Sequence, residues 1–482
     1  MFAQKQARQG QLPVPGFAVE PPDTARRRLL LRIDSLIDFE FVRRCAEPHF
    51  AANRGRPSLD PVVMVKMMLV GYVFNVASDR ALVEHCADSL AVREFIGYEL
   101  DRPLPVHSSF THWRQRLGAE FFREMLHEIA RQCVGQGMAL SQARTVDGTF
   151  VKAQASKWGP RVAPPVEPID EPVDDYLQAY FAGDAPPDPP PPEATREVNA
   201  NDPEAHLQQK RGQLADFGYQ ASFCGDAESG LLTDATATPR ELAQTAVDHV
   251  DHDPFVVQEL AADSLYDSSE ALAQLQARGV TTYVPERSPR PSPYFTRDEF
   301  GYDADADEYI CPAGRRLKFR KLRKGRRHYE ARRADCSGCP LKAQCTRSRC
   351  RTVTRACQEA AREATVRGGP RYDYLQKRRH VNEYLNSLAK RQYGLRRARG
   401  RGLAAMQIQA CLVACVINLT RLVRQCSPIS AASGAPLAAL LRRLVTALGQ
   451  PRQRRSLPSN APPASPQPWG FRQPSHHAAS HA

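Results

Sequence analysis

A chain of 482 residues, 42% hydrophobic and 25% charged, has room for roughly two to four domains and a sizeable core, and is neither fibrous nor wholly disordered. Its formal net charge of +13 predicts a polyanionic partner, because a large positive field concentrates nucleic acid or an anionic surface. Thirteen cysteines, an odd number scattered over a long chain, point to a reducing compartment rather than a disulfide framework.

Residues 1–17 hold no apolar core of signal-peptide length, so export is not expected. Residues 27–140 then read as a helical N-terminal domain, the expected DNA-binding part. Asp60 caps and Pro61 opens a helix that the apolar pattern from Val62 to Val76 carries onward. A second helix is expected over 79–90. Ser108 and Ser109 cap a short third one, Phe110 to Leu117, with Arg114 and Arg116 facing outward, and a fourth runs over 119–136. Short helices with a basic final member fit a helix-turn-helix DNA reader and an ordinary bundle equally.

From Arg144 to Ala153 the β-branched residues around Asp147 favour a strand. Residues 159–205 turn proline-rich and acidic, a loop with too little apolar surface to order itself. Strands are expected at Tyr219 to Cys224 and Leu231 to Thr236, and a helix over 239–250. Phe255 to Asp263 reads as a strand ending in a carboxylate; a helix from Ser268 and a strand at Thr281 to Val284 follow. Strands alternating with helices give an α/β domain with a mixed sheet over 141–425.

Residues 288–370 form a basic, cysteine-containing insertion in that domain. Within it, 315–333 hold eleven Lys and Arg against Glu330 alone, and further on 377–402 hold nine against Glu383. Two such runs predict a phosphate-binding surface, with Arg326, Arg327, Arg396 and Arg397 as DNA contacts. Cys311, Cys336, Cys339 and Cys345 form C-x24-C-x2-C-x5-C with Cys350 close behind, a soft ligand set that suits tetrahedral Zn²⁺ or consists of reduced structural thiols. An alanine-rich amphipathic helix is expected from Leu403 to about Arg424. Its longest apolar run, Ala410 to Ile417, is too short, and the stretch around it too polar, to span a bilayer. The tail, 426–482, reads as mostly disordered.

The stretch from Gln376 to Lys390 carries the chemistry. At about 100° per residue, Gln376, Arg379, Glu383 and Lys390 fall within an arc of about 60°, while Tyr374, Val381, Tyr384, Leu385 and Leu388 cluster opposite. One helix is thus expected to bury one face and to present a carboxylate among cations on the other. The arrangement R-x-x-x-E-x6-K resembles the Y-x-x-R-x-x-x-E-x6-K signature of bacterial insertion-sequence transposases of the DDE class, with Gln376 in place of the tyrosine. Similar stretches surround Asp147, Asp202 and Asp263. Two more, Gly55 to Pro61 and Val106 to Phe110, resemble that family's helical N-terminal domain, and the resemblance spans about 30–425.

The resemblance implies an RNase H-like mixed-sheet catalytic domain and a DNA transposase. Asp147, Asp263 and Glu383 would be the catalytic, metal-binding acids, holding two Mg²⁺ or Mn²⁺ ions. Arg379 and Lys390 would clamp phosphates of the element ends. Double-stranded DNA, both terminal repeats and target, is the implied partner of a homodimer, with no membrane role, in a bacterial cytoplasm at the nucleoid. Cleavage at the ends would free a 3′-hydroxyl for strand transfer. A catalytically inactive transposase kept as a DNA-binding protein and an RNase H-like nuclease acting on RNA are the alternatives.

Overall fold

The computed structural model describes residues 12–14, 17–19, 23–50, 58–156, 158–159, 161–162, 198–209, 214–239, 243–288, 292–323 and 325–426. Most of the proline-rich stretch 159–205, and the tail beyond Cys426, lie outside them.

The central strand is Ala143–Lys152. It pairs antiparallel with Asp216–Asp226, which in turn pairs antiparallel with Leu232–Thr238. On its other side it runs parallel to Glu259–Ala261, which is parallel to Thr281–Tyr283. Numbered along the chain, these five strands lie in the order 3-2-1-4-5 with the second reversed, which is the RNase H-like sheet. A short strand, His206–Gln208, adds to the start of Asp216–Asp226. The expected strand from Phe255 shrinks to Glu259–Ala261, because Val256 is exposed at 67% and residues 255–258 bend before pairing begins.

Local rules explain several helix starts. The Asp60 carboxylate accepts from the Val62 amide at 2.9 Å, and Pro61 opens Pro61–Val73. That helix is buried along nearly its whole length, so its one cation, Lys66, reaches Asp34 at 2.6 Å and the Phe95 carbonyl at 2.8 Å. The two helices expected on either side of Gly118 are present within His107–Gly135, separated where Gly118 takes φ 73°. Its cap is Val106 rather than Ser108 or Ser109, and Arg114 is held by Asp79.

The N-terminal helices share one apolar cluster with the sheet and the C-terminal helix Leu403–Cys426. Asp234, wholly buried on strand Leu232–Thr238, reinforces the join: it lies 3.1 Å from His127 Nε2, 2.6 Å from His249 Nδ1 and 3.5 Å from Arg123. Burial alone would raise its pKa, but hydrogen bonds to the two histidines and the neighbouring positive charge hold it far below the usual carboxylate range.

The C-terminal helix corrects the reading of its apolar run. By length and composition it is apolar enough to cross a membrane, with a mean hydropathy of 1.8, yet 83% of that window is buried inside the protein. Two of its amides, Gln407 and Asn418, face the open edge of strand Leu232–Thr238. Asn418 accepts from the Leu232 amide at 2.9 Å and donates to its carbonyl at 2.8 Å. Gln407 accepts from the Ala237 amide at 2.7 Å and donates to the Ala235 carbonyl at 2.6 Å.

The basic insertion also departs from expectation, since it holds a small core of its own. Strands Gly301–Asp303, Glu308–Ile310, Arg316–Arg323, Arg326–Ala331 and Thr352–Ala356 make one antiparallel sheet. Phe300, Tyr309, Leu317, Tyr329 and Val353 are buried on one face. Dense charge on the other face hides the two-residue alternation from a sequence reading.

Asn418→Leu keeps the side-chain size but leaves two buried backbone groups of the edge strand without partners. It should lower unfolding free energy by about 2–4 kcal/mol in urea titrations, whereas exposed Gln425→Leu should change it little.

Candidate active site

Asp147 sits half-buried in the middle of the central strand, paired across from Phe223. Asp263 follows the neighbouring parallel strand and caps the 3-10 turn Ser264–Tyr266, accepting from the Leu265 amide at 2.8 Å. Glu383 lies on helix Pro370–Gln392, with its side chain 48% exposed. Three acids that are 116 and 120 residues apart in the chain thus share one end of the sheet. Their convergence is legible in the charge state of Asp147. Burial pushes its pKa up to about 6, the Asn386 hydrogen bond and the Arg379 charge oppose the rise, and Asp263 and Glu383 add to it.

The acid helix docks through amides. Gln376 donates to the Tyr283 carbonyl at 2.8 Å, Asn382 to the Thr145 carbonyl at 2.6 Å, and Asn386 to the Asp147 carboxylate at 2.7 Å. The approach is close at Gly225, where a Cβ would lie 2.8 Å from Asn382 Oδ1. Expectation and structure differ here. The polar arc of Gln376 and Arg379 lies over the sheet, and only Glu383 at its rim is open. Tyr374 and Tyr384, expected on the packed face, are 37% and 52% exposed, while Leu385 and Leu388 are buried as expected. The reason is that carbonyls at the strand ends need donors, which tyrosines three turns apart on the far side do not supply. Asn382 and Asn386 are the site residues that sequence reading missed. Both fall on the flank of the Arg379–Glu383 stripe, so the helical phase held the signal.

Arg379 donates to Gln376 Oε1 at 3.0 Å and lies 3.8 Å from Glu383, which His380 also approaches at 2.9 Å. Arg379 Nε and Asn386 Oδ1 are buried without a hydrogen-bond partner, although both border Asp147. Lys390 is half-buried further along the helix. Arg396 and Arg397 are exposed on a segment that runs beside the end of the central strand, the Arg396 carbonyl accepting from the Lys152 amide at 3.2 Å.

Arg326 and Arg327 point to opposite faces of their hairpin. Arg327 is 3.0 Å from Asp307 and lies over the Phe319 ring, whereas Arg326 shares the other face with Lys321 and Arg323. All thirteen cysteines are free. Cys345 is buried in the insertion's apolar cluster, against which Cys311 and Cys336 pack, and burial raises its pKa while Arg351 opposes and Cys336, Cys311 and Cys339 add to the rise. Among the described residues, no group of three or more His, Cys, Asp or Glu side chains is gathered closely enough to hold a metal ion.

Two family models match this chain: a transposase domain over residues 19–116 and a transposase DDE domain over 310–423. The chain carries the domains of a DDE transposase. The DDE match takes in Glu383 and the four cysteines and begins beyond Asp147 and Asp263. No curated protein matches. Among solved structures, the cryo-EM structure of a piggyBac transposase synaptic complex with hairpin DNA is similar at 10% identity and a TM-score of 0.33, over 89% of this chain and 82% of that one. That likeness is too loose to add to the strand order itself.

The raised Asp147 pKa has a stability consequence. An unfolded aspartate ionises near its ordinary value of 3.8 and the folded one near 6, so above pH 6 the ionised carboxylate opposes folding, and this opposition vanishes as pH falls below about 4. In EDTA at pH 7.5, Asp147→Asn should therefore be more stable than the native transposase by about 1–3 kcal/mol. The gap should close in denaturation curves taken near pH 4.

Proposed function

We propose that this transposase cuts DNA at the ends of an insertion sequence and joins the freed 3′-hydroxyls to target DNA, with Asp147, Asp263 and Glu383 as its catalytic carboxylates. The observation that carries the reading is geometric: Asp147 lies on the central strand, beside the parallel strand that Asp263 follows, and the helix that bears Glu383 reaches its carboxylate through Asn386 at 2.7 Å. Three carboxylates brought toward one part of the sheet, one of them half-buried in the central strand, suit divalent-metal binding.

The donor set fits hard cations: three carboxylates, two of them half-buried, beside the unpartnered Asn386 Oδ1. Asp147, Asp263 and Glu383 would hold Mg²⁺ or Mn²⁺, which would supply a nucleophile at neutral pH and neutralise charge as the phosphate is displaced. Glu383 is the exposed member of the set, and among the described residues its helix neighbours His380 and Arg379 engage it. Arg379, whose Nε is buried without a hydrogen-bond partner, would clamp a phosphate together with Lys390 further along the same arc. In the first step, the oxygen of water bonds to phosphorus, and the 3′-oxygen leaves and gains a proton. In the second, that 3′-hydroxyl loses its proton and attacks a target phosphate, whose own 3′-oxygen departs.

DNA would lie across two basic surfaces. One is the exposed Arg396 and Arg397 beside the central strand. The other is the hairpin face of Lys321, Arg323 and Arg326, which have no acidic partner among the described residues. Joining two ends in one event calls for a homodimer on DNA, in the cytoplasm of a bacterium.

Replacing Lys321, Arg323 and Arg326 by Ala should flatten the slope of log K against log salt by roughly 2–3. Arg327→Ala, which removes a cation already paired with Asp307, should leave that slope nearly unchanged. Fluorescence anisotropy over a salt series separates the two.

Asp147→Asn, Asp263→Asn and Glu383→Gln should each abolish cleavage and joining of a duplex that carries the element's ends, and leave its binding within about threefold, because binding rests on Lys and Arg. EDTA should stop the native reaction. A Glu383→Gln protein that cuts and joins at the native rate would remove the acid helix from the active site.

A further inference from the structure

The basic hairpin Arg316–Arg323 and Arg326–Ala331 is flanked in the chain by cysteines on both sides, Cys311 before it and Cys336, Cys339 and Cys345 after it. Cys311 directly follows strand Glu308–Ile310, Cys336 lies in the short helix Arg333–Ser337, Cys339 comes after the Gly338 turn, and Cys345 ends Lys342–Cys345. Cys345 belongs to the insertion's apolar cluster, and Cys311 and Cys336 pack against that same cluster. Two legs of chain, far apart in sequence, thus bring sulfur to one end of one small sheet.

The backbone around Cys311 is shaped for a charged sulfur. The Cys311 amide donates to the Arg315 carbonyl at 2.9 Å and the Gly314 amide to the Cys311 carbonyl at 2.8 Å. The turn then places the Arg315 amide 3.3 Å from Cys311 Sγ. Gly314 at φ 73° supplies the left-handed residue that such a turn requires. An amide aimed at sulfur does little for a neutral thiol, which is a weak acceptor, and much for a thiolate that carries charge to a metal. Cys350 is set apart from the others, since its Sγ donates to Glu330 Oε1 at 2.9 Å.

We propose that Cys311, Cys336, Cys339 and Cys345 form a structural Zn²⁺ site that staples the two legs of the basic hairpin together. Four thiolates are the donor set for closed tetrahedral zinc. The sulfurs are not drawn to a common centre in the structure. Each sits on a turn or a helix of at most five residues, and ion binding would supply the energy that orders them around one centre. The need is evident from composition: eleven cations in 315–333 repel one another over a core of only a few buried side chains. This inference stands independently of the transposase reading.

Elemental analysis of the full-length protein, purified under reducing conditions without chelator, should find about one zinc per chain. Cys336→Ser with Cys339→Ser should lose it, and Cys350→Ser should keep it. Cobalt exchanged into the native protein covers the case in which the double variant fails to fold. Intense thiolate-to-cobalt charge transfer with tetrahedral d–d bands supports four sulfur ligands, and their absence rejects them. Native protein that neither carries zinc nor takes it up, a double variant that retains it, or a Cys350→Ser protein that loses it would each overturn the assignment.

Discussion

Amide side chains on two helices complete a β-sheet whose own strands cannot satisfy all of its backbone. Strand Leu232–Thr238 has one free edge, and Asn418 and Gln407 of the C-terminal helix bind four of its backbone groups. A buried peptide group without a partner costs about 1–3 kcal/mol, so these two residues do for the edge what another strand would do. They also explain how a helix of membrane-like hydropathy belongs to the interior of a sheet protein. Its apolar positions fill the shared core, and Gln407 and Asn418 meet a strand edge in that core that still needs hydrogen bonds.

The same device sets the proposed active site. Gln376, Asn382 and Asn386 dock the acid helix onto two strands, and the last of them ends on the carboxylate of Asp147. Glu383 stands at the rim because the neighbouring stripe is occupied with docking. Gln376, where the family signature has tyrosine, binds the Tyr283 carbonyl two residues past Thr281, and so ties the helix to the strand pair that leads to Asp263. Asp147 bears the cost of this arrangement. Its burial and its acidic neighbours hold it near pH 6, a state that folding alone would not select and that a divalent cation would relieve.

The insertion joins charge and structure in a different way. Its sheet buries Leu317, Tyr329 and Val353 on one face, and its hairpin presents Lys321, Arg323 and Arg326 on the other. Arg327 is drawn out of that basic face by Asp307 and the Phe319 ring. Two adjacent arginines that look equivalent in sequence therefore have different work, because successive residues of a strand point to opposite sides.

Whatever depends on neighbours in the chain was legible in the sequence. Asp60 and Pro61 start a helix by capping, Gly118 interrupts one by its φ, and the phase of Arg379, Glu383 and Lys390 places them on one stripe, since all three follow from local backbone geometry. The expected strand at Arg144 to Ala153 and the observed Ala143–Lys152 differ by one residue. Only the tertiary structure decided which side of the acid helix meets the sheet, since hydrophobic periodicity assigns docking to Tyr374 and Tyr384 and cannot register docking by Asn382 and Asn386. Nor could any local pattern gather Asp147 with Asp263 and Glu383, or turn the polar positions of the C-terminal helix into partners for a strand nearly two hundred residues away. Those choices depend on which backbone groups remain unsatisfied once the chain has folded back on itself, a quantity that exists only in three dimensions.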